Sequence, residues 1–253
     1  MTTVNPLQAL RAAQRPAPRA AALPRLLLAG ATGALGNEVL NRLAGGQRYA
    51  PVQVLAREPY AAAMRGVQLQ QVPPAEPAQW PALAMHMPAE VGVVMFEPPR
   101  TFHQRERALW TPEPQQLKAL AQWMRGCGVK TLAVVLPHDM GSLPQAIKRG
   151  LATLDEQAVA ALGFERLIFV RSARAAQRAT PRHWLQRVAR MMFSALSYMV
   201  PDQERPVRPL HVARLVDAAL QKAPPGIHVA APELVWRAAQ RDGLDAALQA
   251  WLE

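Results

Sequence analysis

Three glycines at a fixed interval constrain this chain more than any other feature. Gly30, Gly33 and Gly36 stand in Leu26-Leu-Leu-Ala-Gly-Ala-Thr-Gly-Ala-Leu-Gly-Asn-Glu-Val-Leu. The run before them, 26–29, is short and apolar, as befits a strand covered on both faces. The run after them, 37–43, has a helical period. A strand that ends in G-x-x-G-x-x-G and opens a helix predicts a phosphate-binding turn. Gly30 lets the chain leave the strand, Gly33 lets a pyrophosphate approach the backbone, and Gly36 lets the helix pack close to the sheet. Amides at the helix N-terminus then face the phosphates. The candidate contacts are Gly30, Thr32, Gly33, Ala34, Leu35 and Gly36. A glycine turn without a ligand is the competing reading, and the strand–turn–helix context weighs against it.

The rest of the chain supplies the setting such a turn needs. Short apolar runs at 26–29, 52–56, 67–72, 91–96, 131–136 and 166–170 read as strands. Between them lie stretches of helical period, so the expected fold is α/β: a Rossmann-like, doubly wound parallel sheet with helices on both faces. One helix is expected to start at Thr111, with Pro112 in its first turn, and to end at Gly126 or Gly128. Others are expected at 144–162, 182–199 and 209–222. The regular alternation is expected to stop after Val170, leaving a small C-terminal, substrate-side helical region within about 171–253, packed on the sheet. Residues 1–24 carry three arginines and no acidic residue and read as a flexible basic arm. Residues 25–253 then form a single nucleotide-binding domain.

Arg57 addresses cofactor choice. It follows the second strand, 21 positions beyond Gly36. An acidic residue there would bind a free ribose 2′-hydroxyl, whereas an arginine pairs with a 2′-phosphate. The expected cofactor is therefore NADP(H) rather than NAD(H), with an ordinary surface arginine beside Glu58 as the competing reading.

Composition removes several classes. The single cysteine, Cys127, excludes an intramolecular disulfide framework and multi-cysteine metal or cluster sites. The histidines show no metal-ligand spacing, so no metal is expected. No apolar run reaches the roughly 18 residues of a membrane span, and the arginines before residue 26 do not suit a secretory signal, so the expected location is cytoplasmic. The formal charge is +11, from 29 Lys+Arg against 18 Asp+Glu. Taken alone it admits a nucleic acid, an anionic membrane surface or a phosphorylated ligand.

Taken in order, several motifs resemble the atypical short-chain dehydrogenase/reductase superfamily, in its NAD(P)H-binding, NmrA-like branch. Gly30-Ala-Thr-Gly-Ala-Leu-Gly looks like the branch's nucleotide loop, and Leu55-Ala-Arg-Glu-Pro like its second-strand ending. Gly128-Val-Lys-Thr-Leu-Ala-Val-Val looks like its fifth strand. Ala161-Leu-Gly-Phe-Glu-Arg-Leu-Ile-Phe-Val-Arg looks like its sixth-strand entry, and Pro206-Val-Arg-Pro-Leu-His-Val-Ala-Arg like a late helix start. The resemblance spans about 25–235. It implies a catalytic serine after the fifth strand and a Tyr-x-x-x-Lys on the next helix. Lys148 falls at the lysine position, where it would hold the nicotinamide ribose. Pro144 falls at the tyrosine, and Leu136 and Pro137 at the serine. Neither proline nor leucine can pass a proton from its side chain, so standard catalysis is not carried over.

The loop after the fourth strand also departs from the family, with Met95-Phe-Glu-Pro-Pro in place of a small glycine. Phe96 and Glu97 are candidate cofactor contacts there. His138 and Asp139 offer a substitute acid/base pair, against a plain polar loop. From Arg171 to Pro201 there are six arginines and no acidic residue, and the second half of this segment holds a Met- and aromatic-rich stripe at 182–200. That stripe reads as a core-facing helix, as a surface for an apolar ligand or partner subunit, or as an anionic-membrane attachment. A nucleic-acid partner is disfavoured, because no nucleic-acid motif is present. Two functions remain: a nucleotide-binding protein without the standard catalysis, or an NADPH-dependent oxidoreductase acting on a carbonyl, enone or quinone-like substrate with other acid/base groups.

Overall fold

Leu26, Leu27, Leu28 and Ala29 form β1 (Leu26–Ala29), and each is fully buried. A strand without an exposed face must lie inside a sheet covered on both sides. The computed structural model describes residues 23–60, 64–81, 89–100, 102–138, 153–173 and 207–252, with backbone only at His138 and Ala173. Around β1 lie β2 (Val52–Ala56), β3 (Val67–Gln71), β4 (Val91–Met95), β5 (Thr131–His138), β6 (Arg166–Ala173) and β7 (Gly226–Ala230). They form one seven-stranded sheet of order β3-β2-β1-β4-β5-β6-β7, every pair parallel. This is the doubly wound, Rossmann-like arrangement, in which the strand order reverses beside β1 and leaves a crevice at the carboxyl ends of β1 and β4.

Alternate residues of each strand feed two cores. Leu26, Leu28, Val54, Val93 and Ile168 face one layer, built from α1 (Gly33–Gly45), α5 (Pro209–Lys222), α6 (Pro232–Ala238) and α7 (Gly243–Leu252). Leu27, Leu55, Val94, Leu132 and Phe169 face the other, built from α3 (Leu117–Gly126) and α4 (Leu154–Ala160). A short helix, α2 (Gln104–Ala108), lies beyond β4. In the first layer, α1 and α5 are fastened by the buried Asp217. It accepts hydrogen bonds from Arg42 at 2.8 Å, Arg48 at 2.9 Å and Gln221 at 2.7 Å.

The six strands expected from sequence all form, and the helix at 209–222 has the expected bounds. Two expectations are corrected. The alternation does not stop after Val170, because β7 extends the sheet beside β6. Nor does a helix start at Thr111. Glu113 caps a 3-10 turn at Pro114–Gln116 with Gln116 as its reciprocal partner, and α3 follows. The Thr111 hydroxyl is engaged elsewhere, with Thr32. The helix expected at 144–162 appears as α4 in its described part. Residues 144–152, the helix expected at 182–199 and residues 1–22 of the expected arm lie outside the described residues.

Candidate functional site

The turn between β1 and α1 has the backbone its glycines predict. Gly30 and Gly33 have φ of 74° and 70°, in the left-handed region. A Cβ on Gly30 would overlap the Met95 carbonyl oxygen, so β1 and β4 approach more closely there than a side chain permits. Thr32 is fully buried at the N-cap of α1. Its hydroxyl donates to the Glu97 carbonyl at 2.6 Å and accepts from Thr111 at 2.8 Å.

The contents of the turn differ from those the sequence predicts. The Gly33 N–H donates to Glu106 Oε2 at 3.0 Å, and the Leu35 N–H donates to Glu97 Oε2 at 2.5 Å. A Cβ on Gly33 would overlap the Glu97 side chain, which therefore lies on the face where a pyrophosphate would rest. Glu106 is buried, and both of its oxygens are engaged. Oε2 also accepts the Arg100 N–H at 2.8 Å, and Oε1 accepts Arg100 Nε at 2.7 Å and Nη2. Burial pushes the Glu106 carboxyl up, but the Arg100 side chain and the N–H groups of Arg100 and Gly33 outweigh it. The net pKa lies below the ordinary glutamate value. Two carboxylates thus take the amides that a phosphate would take.

Residues 108–111 wedge into the rim of the sheet. The Trp110 N–H donates to the Leu55 carbonyl at 2.9 Å, and the Gly30 N–H donates to the Trp110 carbonyl at 3.1 Å. The Arg57 N–H donates to the Ala108 carbonyl at 2.8 Å, and Ala56 and Leu109 form an antiparallel bridge. The chain leaving β4 therefore crosses the glycine turn as a strap and is stitched down between β1 and β2. A pyrophosphate does not fit the turn as the strap lies, for steric reasons and because like charges would meet in a partly desolvated space.

Beyond the strap is an open pocket of about 500 Å³ at the ends of β2 and β3. Arg57, Gln71, Pro73, Pro74, Trp110 and Glu113 line it. Arg57 is exposed, and its guanidinium has no hydrogen-bond or ion-pair partner among the described residues. Trp110 is braced edge-on by Trp80 at 4.8 Å between ring centroids, and Trp80 in turn by Trp123 at 5.0 Å.

The structure brings Gly30, Thr32, Gly33, Ala34, Leu35, Gly36 and Glu97 together, with Arg57 at the neighbouring pocket. Phe96 is buried, in the same apolar cluster as Trp110. Leu136 and Pro137 continue β5 and carry no hydroxyl where the resemblance would put one. Lys148 and Asp139 lie outside the described residues, as does the side chain of His138. Sequence reasoning missed Arg100, Glu106, Trp110 and Thr111. Among the described residues no cluster of metal-binding side chains occurs, and no helix is long and apolar enough to cross a membrane.

No protein-family model matches the chain, and no curated protein sequence matches it. Solved structures do. One is a Rossmann-fold NAD(P)-binding family protein from Shigella flexneri, 16% identical over 79% of this chain and 87% of that one, with a TM-score of 0.47. Another is the Bordetella bronchiseptica enzyme WbmH in complex with NAD+, 13% identical over 84% and 79%, with a TM-score of 0.45. A third is a UDP-glucuronic acid 4-epimerase from Bacillus cereus in complex with NAD, 11% identical over 82% and 78%, with a TM-score of 0.44. The fold of this chain rests on its own sheet order.

Proposed function

We propose that this protein binds a nucleotide through a Rossmann-like site and does not perform serine–tyrosine–lysine catalysis. The observation that carries the reading is the glycine turn, with its left-handed Gly30 and Gly33, beside an open pocket that displays an Arg57 whose guanidinium has no partner among the described residues. Arg57 supports NADP(H) over NAD(H), because a guanidinium matches a 2′-phosphate. The missing catalytic groups support a binding role: proline and leucine stand where the resemblance would put the tyrosine and serine. In this reading the nucleotide is read rather than transformed, and Glu97 and Glu106 must leave the turn before a whole dinucleotide can enter.

The test is a calorimetric titration of NADPH and NADH into the purified protein, with Arg57→Gln and Gly33→Asp alongside. NADPH should bind more tightly than NADH, and Arg57→Gln should remove the difference. No binding of either dinucleotide at millimolar concentration would sink the NADP(H) reading. NADPH oxidation across a panel of carbonyl and quinone substrates should stay at the level of the buffer. Turnover on any of them would instead support an oxidoreductase with other acid/base groups.

A further inference from the structure

The turn that would hold a pyrophosphate holds carboxylates, yet the pocket beside it is open. Trp110 and Thr111 form the partition between the two. Both line the pocket, while the Trp110 carbonyl accepts from Gly30 and the Thr111 hydroxyl donates to Thr32 on the other side. The pocket therefore stays open with the strap in place. We infer that it is a site in its own right, for a purine nucleoside carrying one phosphate on its ribose. The inference rests on the nucleotide-binding reading and narrows its ligand from a dinucleotide to a mononucleotide.

The chemistry of the walls selects this class. A volume of about 500 Å³ is within the range of small-molecule sites. Pro73, Pro74 and the buried Trp110 give apolar surfaces suited to a flat ring. Glu76 and Glu113, also on the lining, each accept one hydrogen bond from Gln116 and keep acceptor capacity for a ring amino group. The same two carboxylates repel anions, so the pocket tolerates one phosphate at Arg57 better than a chain of them. Arg57 makes no ion pair among the described residues and can meet a phosphate with two donors at once. The strap adds the exclusion. A diphosphate extending from this pocket toward Gly33 meets the carboxylates of Glu97 and Glu106.

Calorimetry with adenosine 2′-, 3′- and 5′-monophosphate, inorganic phosphate and NADP+ tests this on the full chain. Wild-type protein should bind one of the three monophosphates at least as tightly as NADP+, and inorganic phosphate only weakly. Arg57→Gln, a change at an exposed side chain, should weaken that monophosphate by at least about tenfold. The double variant Glu97→Ala/Glu106→Gln, which removes the side chain over Gly33 and the second charge, should bind the monophosphate within about twofold of wild type, and should bind NADP+ at least about tenfold more tightly than wild type does. Melting temperatures establish that each variant is folded. NADP+ binding to wild type more tightly than every monophosphate would overturn the inference, as would monophosphate binding indifferent to Arg57→Gln. The two proposals fail separately. A monophosphate that binds while NADP(H) binds neither wild type nor the double variant removes the NADP(H) reading and keeps the mononucleotide site. Tight NADP+ binding to wild type does the reverse.

Discussion

Asp217 and Glu106, two of the buried carboxylates among the described residues, are both held by arginines but at different places on the sheet. Asp217 lies between α1 and α5 and takes its hydrogen bonds from the side chains of Arg42, Arg48 and Gln221. Glu106 lies at the rim of β1 and takes them from Arg100 and from the backbone N–H groups of Arg100 and Gly33. Both are well satisfied, as buried carboxylates must be. They differ in what the bonds displace. Asp217 takes side-chain donors only and holds α1 and the Arg48 segment to α5. Glu106 uses a backbone N–H that the glycine spacing reserves for an anion. The same arginine–carboxylate chemistry is a fastener in one place and an internal occupant in the other.

The comparison can be broken most forcefully at the turn itself. Gly30→Val adds a side chain at φ 74° against the Met95 carbonyl and should cost about 4 kcal/mol in urea denaturation. Glu106→Ala leaves two backbone N–H groups unpaired and should cost about 3 kcal/mol, while making the turn available to anions. Asp217→Asn should cost about 1–2 kcal/mol, because Arg42 and Arg48 are half-exposed and water screens them. It should leave every nucleotide affinity unchanged, and a change of more than about twofold would mean that the two regions communicate.

A pH series sharpens the same contrast. The folded-state pKa of Glu106 lies below its unfolded value, so the unfolded chain takes up the proton first as pH falls. Its contribution to stability is therefore complete above the ordinary glutamate value of about 4.3 and is lost as pH drops through the lower folded value. Glu106→Gln should flatten the acid limb of the stability curve in that interval. An unchanged limb would show that Glu106 is not held ionised. The smallest effect belongs to Arg57→Gln, which should alter stability by less than about 0.5 kcal/mol while weakening nucleotide binding.

The parts of this arrangement that sequence reveals are the local ones. β1 is an unbroken apolar run, β4 is one interrupted only by Gly92 and β2 one interrupted only by Gln53, and the glycine spacing is contiguous with β1. β7 escapes because it is an edge strand whose Gly226, Ile227 and His228 give no apolar run and whose first two residues are exposed. The helix start after Thr111 is misplaced because Thr111 is drawn to Thr32, a partner 79 positions away. Glu97 is placed near the turn by its position after β4, but whether it faces a ligand or replaces one depends on the path of the strap. Glu106 has no sequence signature at all, since it meets Gly33 across 73 positions and only after the chain has folded back.

The edge-on trio of Trp80, Trp110 and Trp123 gives the protein its own optical reporter. Trp110 lines the pocket and touches Trp80, so a purine settling against it should quench ultraviolet emission without any added label. Trp110→Phe should silence most of that signal, and the remaining indoles would then report only unfolding. Occupancy of the pocket and integrity of the sheet rim can in this way be followed in a single cuvette.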